Sequence, residues 1–258
     1  MALPAAITRV PGHAAEGMPA PEGASNTVRH DAPRAPRAAQ VLHEGDWAAP
    51  TAPRLALVRR LREQGIRSQA VLDALACIPR ERFIDEALWS RAYEDTALPI
   101  GFAQTISQPY VVARMIESVL PAKGRLGKVL EVGTGCGYQA AVLSRLAGEV
   151  YSIERIKALV DKARANLRAL RLPNVRLAYA DGYAGLADSA PFDAIIVAAA
   201  APTLPEALLS QLKRGGKLIA PVGRGEQQLL LVERRVAGYI QTRLDMVRFV
   251  PMLPGTAK

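Results

Sequence analysis

Aromatic side chains are scarce: two Trp, seven Tyr and four Phe among 258 residues, with no interleaving of rings and basic residues. Stacking platforms for single-stranded nucleic acid are therefore not expected, although the net charge is +9. Cysteine is equally sparse. Cys77 and Cys136 stand far apart in sequence, which excludes a disulfide framework and a zinc site of C-x-x-C type. Histidine occurs only at His13, His30 and His43. No apolar run approaches the roughly 18 residues that a membrane helix needs. Residues 1–10 lack the basic start and apolar stretch of a secretory leader, so a cytoplasmic protein is the expectation.

The positive charge is not uniform. Residues 1–53 carry four Arg against five acidic residues, so the whole excess falls on the rest of the chain, as scattered Arg and Lys. Such scatter reads as a solvated basic surface rather than a nucleic-acid footprint. Residues 1–53 also hold 8 of the 19 prolines and a single aromatic, Trp47. Little apolar surface can be buried there against the entropy of ordering, and a disordered extension is expected.

From Arg54 onward the texture is that of a single domain, 54–258. Leu55, Val58 and Leu61, then Leu72, Leu75 and Ile78, recur at helical spacing, with Gly65 as a stop and Ser68 as an N-cap. Residues 80–91 suggest another short helical piece, and Trp89 and Tyr93, just upstream of residues 104–110, read as packing residues. Residues 109–120 form an amphipathic helix with Val112, Met115, Ile116 and Val119 on one face. After Pro121, strands and helices alternate. Strands are expected at 128–133, 149–154, 175–180, 192–198 and 217–222, and helices at 138–147, 155–170 and 205–212. Two further strands, 227–235 and 239–250, close the chain. This pattern predicts an α/β fold: a doubly wound, Rossmann-like sheet, mostly parallel with an antiparallel edge, preceded by N-terminal helices.

The loop after the first of these strands reads Gly133-Thr134-Gly135-Cys136-Gly137 and opens a helix. Glycines at such a turn let a ligand approach the backbone, beside the partial positive charge of a helix start. Tyr138 stands next, so the spacing is G-x-G-x-G, and the dinucleotide G-x-G-x-x-G and P-loop patterns do not apply. Glu154 ends the second strand, 21 positions after Gly133, where a carboxylate can accept from both ribose hydroxyls. Asp181-Gly182 follows the third strand. That pair suits an exocyclic amine and a flat ring, or equally a plain turn. Cys136 reads as a small side chain at a crowded turn, and Cys77 as core.

These features place a nucleoside-like ligand at the carboxyl ends of the strands. Over residues 128–222 they resemble the S-adenosylmethionine-dependent methyltransferase superfamily. Further segments narrow the resemblance: Gln104-Thr105-Ile106-Ser107-Gln108-Pro109-Tyr110, Tyr179-Ala180-Asp181-Gly182-Tyr183, Leu212 to Leu218, and Val247-Arg248-Phe249-Val250-Pro251. Together they resemble the protein-L-isoaspartate O-methyltransferase family across residues 54–254. The resemblance implies S-adenosylmethionine as cofactor, no metal, and isoaspartyl-containing proteins and peptides as substrates. It implies methylation of the free α-carboxyl of L-isoaspartate, a step that opens repair to aspartate. Ser107 falls on the family's active-site serine, and Thr105, Ile106 and Gln108 on its substrate segment. Gly133, Thr134, Gly135, Cys136, Gly137, Glu154, Arg155, Asp181 and Gly182 fall on its cofactor contacts. Gln108 and Tyr110 stand where some relatives carry Ala and His.

The chemistry fits these residues independently. A carboxylate acceptor is ionised at neutral pH, so a domain without histidine lacks nothing that methyl transfer to it requires. Ser107 also carries a plain structural reading, as N-cap of the 109–120 helix. Two rival functions stand beside the main one: a same-fold methyltransferase for a small-molecule carboxylate or RNA, and a non-catalytic nucleotide-binding module. A monomer without nucleic-acid or membrane partners is expected.

Overall fold

The computed structural model describes residues 49–122 and 124–257. The expected extension, 1–53, lies almost wholly outside the described residues. Helix α1 (Ala52–Glu63) starts just inside that boundary, with proline in its first turn, where its missing N–H costs nothing. Its core face is Leu57 and Leu61, both fully buried, together with Arg54. The expected stripe through Leu55 is corrected, since Leu55 is exposed. The rotation follows from Arg54, whose guanidinium turns inward to the Cys77 carbonyl and the Tyr93 hydroxyl. Gly65 makes the turn at φ +106°, and the Ser68 hydroxyl accepts from Val71 N–H to start α2 (Gln69–Cys77). Cys77 itself is half-buried.

Residues 80–91 are not one helix. They form two 3₁₀ turns, Arg80–Phe83 and Glu86–Arg91, the second capped by Asp85. Trp89 lies exposed on it, outside the buried core. Tyr93 is half-buried against the core, donates to Glu81 and accepts from Arg54. An antiparallel hairpin follows, β1 (Leu98–Gly101) and β2 (Gln104–Ile106), which delivers the chain to α3 (Pro109–Val119). Val112, Met115, Ile116 and Val119 are all buried, as their spacing predicted.

The main sheet has seven strands in the order β5-β4-β3-β6-β7-β8-β9. Here β3 is Leu126–Val132, β4 Ala147–Glu154, β5 Val175–Tyr179, β6 Phe192–Val197 and β7 Leu212–Val222, all parallel. β8 (Gln227–Arg235) and β9 (Gly238–Val247) add the antiparallel edge. Side chains split between the two faces with period two. Val129, Ala194, Ile196 and Ile219 join the cluster under α1 to α5. Leu130, Val132, Ile195, Val197 and Leu218 join a second cluster on the opposite face.

Helices α4 (Tyr138–Ser144), α5 (Lys157–Ala169) and α6 (Glu206–Ser210) link the parallel strands. Every residue of α4 is buried, so it is a core helix without a wet face. Several boundaries differ from expectation, and two of them have a visible cause. α4 stops three residues short of 147, because Ala147 already pairs with Leu126 in the sheet. β7 starts at Leu212, which the periodicity assigned to a helix. Leu212 is fully buried and pairs with Phe192 across the strands.

Candidate active site

The strand order reverses at β3, whose neighbours β4 and β6 are reached in opposite directions along the sheet. A crevice opens outside the carboxyl ends at such a switch point. The cleft found there is lined by the ends of β3 and β4, the loop after β3 and the hairpin strand β2.

Its floor is the glycine loop. Gly133 and Thr134 donate their N–H groups to the Ile153 carbonyl, at 2.8 and 3.1 Å, so the loop is pinned to the end of β4. Gly135 adopts φ +55° and donates at 2.9 Å to Glu154 Oε2. A Cβ on Gly135 would sit 3.2 Å from Ile100 Cδ1, so any larger residue would press on the β1–β2 hairpin. Glu154 is buried, and its second oxygen accepts from Ile156 N–H at 2.9 Å. The carboxylate is thus clamped in one orientation at the cleft edge, with lone pairs left for a ligand hydroxyl. Gly137, at φ +91°, is the N-cap of α4.

Of the residues expected to bind a cofactor, Gly133, Thr134, Gly135, Cys136, Glu154, Arg155 and Gly182 line this cleft. Two do not. Gly137 faces away toward α5, where a Cβ would meet Leu167 at 3.2 Å. The Asp181 carboxylate lies outside the lining: Oδ1 accepts from Tyr183 N–H and Oδ2 from Gly255 N–H, at 2.9 and 2.8 Å. Its position makes it a brace for the turn that presents Gly182. The cleft wall allows nothing larger than Gly182, since a Cβ there would lie 2.7 Å from Val132 Cγ1. Burial pushes the Cys136 thiol up to about 11, so it stays neutral.

Sequence reasoning passed over three contributors. Glu131, next to the last residue of β3, is fully buried and lines the cleft. Desolvation pushes its pKa up to about 8, with the nearby Glu154 charge adding, against the opposing hydrogen bonds from Ser152 and from the Gln139 amide beside it. The contact with Gln139 is too poorly formed to satisfy either group, so Oε1 and the Gln139 Nε2 both remain available at the cleft wall. Together they present an acceptor and a donor to the polar end of a ligand. A charged residue interrupting an apolar strand was the signal. The second contributor is the C-terminal segment, with Val250, Pro251, Met252 and Leu253 in the wall. Ala200 N–H donates to the Val250 carbonyl and the Ala200 carbonyl accepts from Met252 N–H, which holds the segment just beyond β6, and Tyr183 donates to the Met252 carbonyl. The third is Asp95.

Asp95 replaces the cap expected of Ser107. The N-cap position of α3 is Gln108, which makes no side-chain cap, and Asp95 Oδ1 accepts from Tyr110 N–H at 2.9 Å. Asp95 Oδ2 also accepts from Gln108 Nε2 at 3.0 Å. The hydroxyl of Ser107 makes no hydrogen bond among the described residues. The expected capping role is therefore corrected: a carboxylate 15 residues upstream of Tyr110, invisible to a local pattern, takes it.

Ser107 and Thr105 line the cleft and also a second, more open groove. That groove runs between α3 and the end of β9, past Gln108, Tyr110, Arg114, Met246 and Phe249. Ile106 is buried and lines the cleft alone, and Gln108 lines the groove alone. Among the described residues no cluster of His, Cys, Asp and Glu could hold a metal.

A doubly wound sheet, a glycine loop locked to an acid one strand over, and a cleft fitted to a nucleoside with an amino-acid end define an S-adenosylmethionine-dependent methyltransferase. Comparison with known proteins narrows the class. Residues 52–257 match the family model described as protein-L-isoaspartate(D-aspartate) O-methyltransferase. A protein-L-isoaspartate O-methyltransferase of Dechloromonas aromatica is 60% identical over 203 residues, 79% of this chain and 94% of that one. One from Azoarcus is 61% identical over the same shares. A solved protein-L-isoaspartate O-methyltransferase superposes with a TM-score of 0.71 at 31% identity, over 77% of this chain and 65% of that one. A Plasmodium falciparum structure, described as a beta-aspartate methyltransferase in complex with S-adenosyl-L-homocysteine, gives 0.65 at 28% identity, over 77% and 97%. The chain belongs to the protein-L-isoaspartate O-methyltransferase family.

Proposed function

We propose that this chain transfers a methyl group from S-adenosylmethionine to the free α-carboxyl of L-isoaspartyl residues in damaged proteins, with Ser107 orienting the acceptor. The observation that carries the site assignment is the position of Ser107, its hydroxyl uncommitted, where the cofactor cleft meets the open groove. When bound, S-adenosylmethionine supplies a methyl carbon made electrophilic by its sulfonium.

The chain's own residues hold and align. The glycine loop and Glu154 take the nucleoside, while Glu131 and Gln139 face the amino-acid end. Gly182, braced by Asp181, leaves room for the flat ring. Ser107 donates a hydrogen bond to the acceptor carboxylate and sets its line of approach. No residue need remove a proton, because the acceptor is already an anion at neutral pH. Catalysis then rests on proximity and alignment, worth up to about 7–11 kcal/mol in favourable systems. The groove past Gln108 and Arg114 takes the flanking polypeptide. A monomer acting in the cytoplasm, without nucleic-acid or membrane partners, completes the proposal. The two free thiols accord with a reducing compartment, and light scattering tests the monomer.

Labelled methyl transfer to an isoaspartyl peptide and to its aspartyl twin tests the substrate. Transfer to the first only is expected; equal transfer to both, or to RNA instead, overturns it. Ser107→Ala is expected to lower kcat by tenfold or more with calorimetric cofactor affinity intact. Full turnover in that variant removes Ser107 from the mechanism.

A further inference from the structure

Arg80 is the largest of the fully buried side chains, with no exposed surface. Its Nη2 donates to the Ser107 carbonyl at 2.8 Å and more weakly to the Thr96 carbonyl at 3.4 Å. Its guanidinium also lies over the Tyr138 ring, 4.9 Å from the centroid. Tyr138 is the first residue of α4, directly after the glycine loop, and it lines the cofactor cleft. One cation therefore touches both the acceptor segment and the cofactor loop.

This is an expensive arrangement on stability grounds alone. Burying a charge costs several kcal/mol before compensation, and Arg80 is poorly compensated. Nε and Nη1 have no well-formed hydrogen bond among the described residues, with only Tyr138 close by, and Asp95 is a nearby charge without forming an ion pair with it. Desolvation lowers its pKa, while Tyr138, Cys136 and Asp95 act the other way. A buried apolar side chain of similar volume would fill the space without the desolvation cost. What it would not do is fix the Ser107 carbonyl.

Asp95 holds the chain further on, through Tyr110 N–H and the Gln108 side chain. Between them, the two charges fix the chain at the Ser107 carbonyl and at the start of α3. A carbonyl held by one group and a helix start held by the other fix the Ser107 backbone, and with it the point from which the hydroxyl reaches.

We propose that Arg80 and Asp95 are positioning residues: a buried clamp that sets the Ser107 segment against the cofactor loop. The inference rests on the reading that Ser107 orients the acceptor. Neither residue lines the cofactor cleft or the groove, so neither is a ligand to substrate or cofactor.

The test compares Arg80→Met, Arg80→Lys, Asp95→Asn and Ser107→Ala on an isoaspartyl peptide, with cofactor affinity measured by calorimetry on the same preparations. Arg80→Met is expected to lower kcat by tenfold or more, with cofactor Kd within threefold of the parent. Arg80→Lys keeps a charge and one donor for the Ser107 carbonyl, and recovers at least threefold of that loss. Asp95→Asn keeps an acceptor for Tyr110 N–H but loses the charge and the oxygen that Gln108 and Gln64 donate to, and is expected to cost threefold or more in kcat. Combined with Ser107→Ala, Arg80→Met is expected to add less than it costs alone, as coupled sites do. A kcat within twofold of the parent in both Arg80→Met and Asp95→Asn overturns the clamp. So does a fall in cofactor affinity that matches the fall in kcat, which would mark a general loosening of the fold. Should Arg80→Met fail to fold, Arg80→Lys and Asp95→Asn decide by the same two readouts. Full turnover in Ser107→Ala with a loss in the Arg80 variants would reject the serine role and keep the clamp on the segment. A loss in Ser107→Ala alone would do the reverse.

Discussion

Glu131 sits where an apolar residue would be the ordinary choice, in a strand whose neighbours Leu130 and Val132 face the second core cluster. Its carboxyl ionises near pH 8 in the folded chain, against a usual value near 4.5. Between those values the unfolded chain has lost a proton that the folded chain retains. Stability therefore falls as pH rises through that window, at up to about 1.4 kcal/mol per pH unit. Below the window the group is neutral in both states and contributes no slope. Glu131→Gln removes the term. Thermal unfolding of the two cofactor-free proteins should show the variant gaining on the parent from about pH 5 to pH 8, by a few kcal/mol at the top of the range. Parallel curves would show that Glu131 is already ionised. The same buried acid, with Gln139 beside it, is what the cleft offers to an amino-acid end, so its cost in the free protein reads as preparation for a ligand. Gly182 is a second single-residue test. Its substitution by Ala forces a methyl against Val132 and Met252. A loss of cofactor affinity of tenfold or more is expected, with about 1–3 kcal/mol of destabilisation.

Among the elements, those defined by long periodic stretches were legible in the residues. The alternation after Pro121 predicts the parallel strands and the helices between them, and the buried face of α3 follows from its spacing. What escaped were features held by distant partners. The β1–β2 hairpin is two short strands of four and three residues, with Phe102 and Ala103 at positive φ between them. No Asn-Gly or Asp-Gly pair announces it. The cap of α3 comes from Asp95, and the burial of Arg54 from a carbonyl 23 residues away. Local rules cannot see either. The site shows the same division. Loop and acid are spaced along the chain and were readable; the second wall, residues 250–253, is brought in by the sheet edge. Asp95→Ala tests the element directly: loss of a helix cap should cost about 0.5–2 kcal/mol, read in denaturant unfolding.

For the whole molecule, the cleft is a place where the chain returns to itself. Beyond β9, the chain crosses back to β4. Asp181 accepts from Gly255 N–H, Arg155 Nε donates to the Gly255 carbonyl, and Ala257 exchanges backbone bonds with Arg155 and Lys157. Arg155 and Gly182 line the cleft, and this strap braces them both. A chain ending at Leu253 keeps all seven strands and loses those bonds. It should fold, with a lower Tm, and bind S-adenosylmethionine at least tenfold more weakly by calorimetry. Unchanged affinity would show the strap to be dispensable.

The strap also has a consequence in time. A ribosome releases the amino end first, and the glycine loop can form as soon as β3 and β4 exist. The pocket it serves is completed only by residues 250–253 and the strap behind them, which follow all seven strands in the chain. A nascent chain that has not reached them carries the loop without a finished site. Full cofactor affinity in this protein therefore arrives after the sheet, not with the loop.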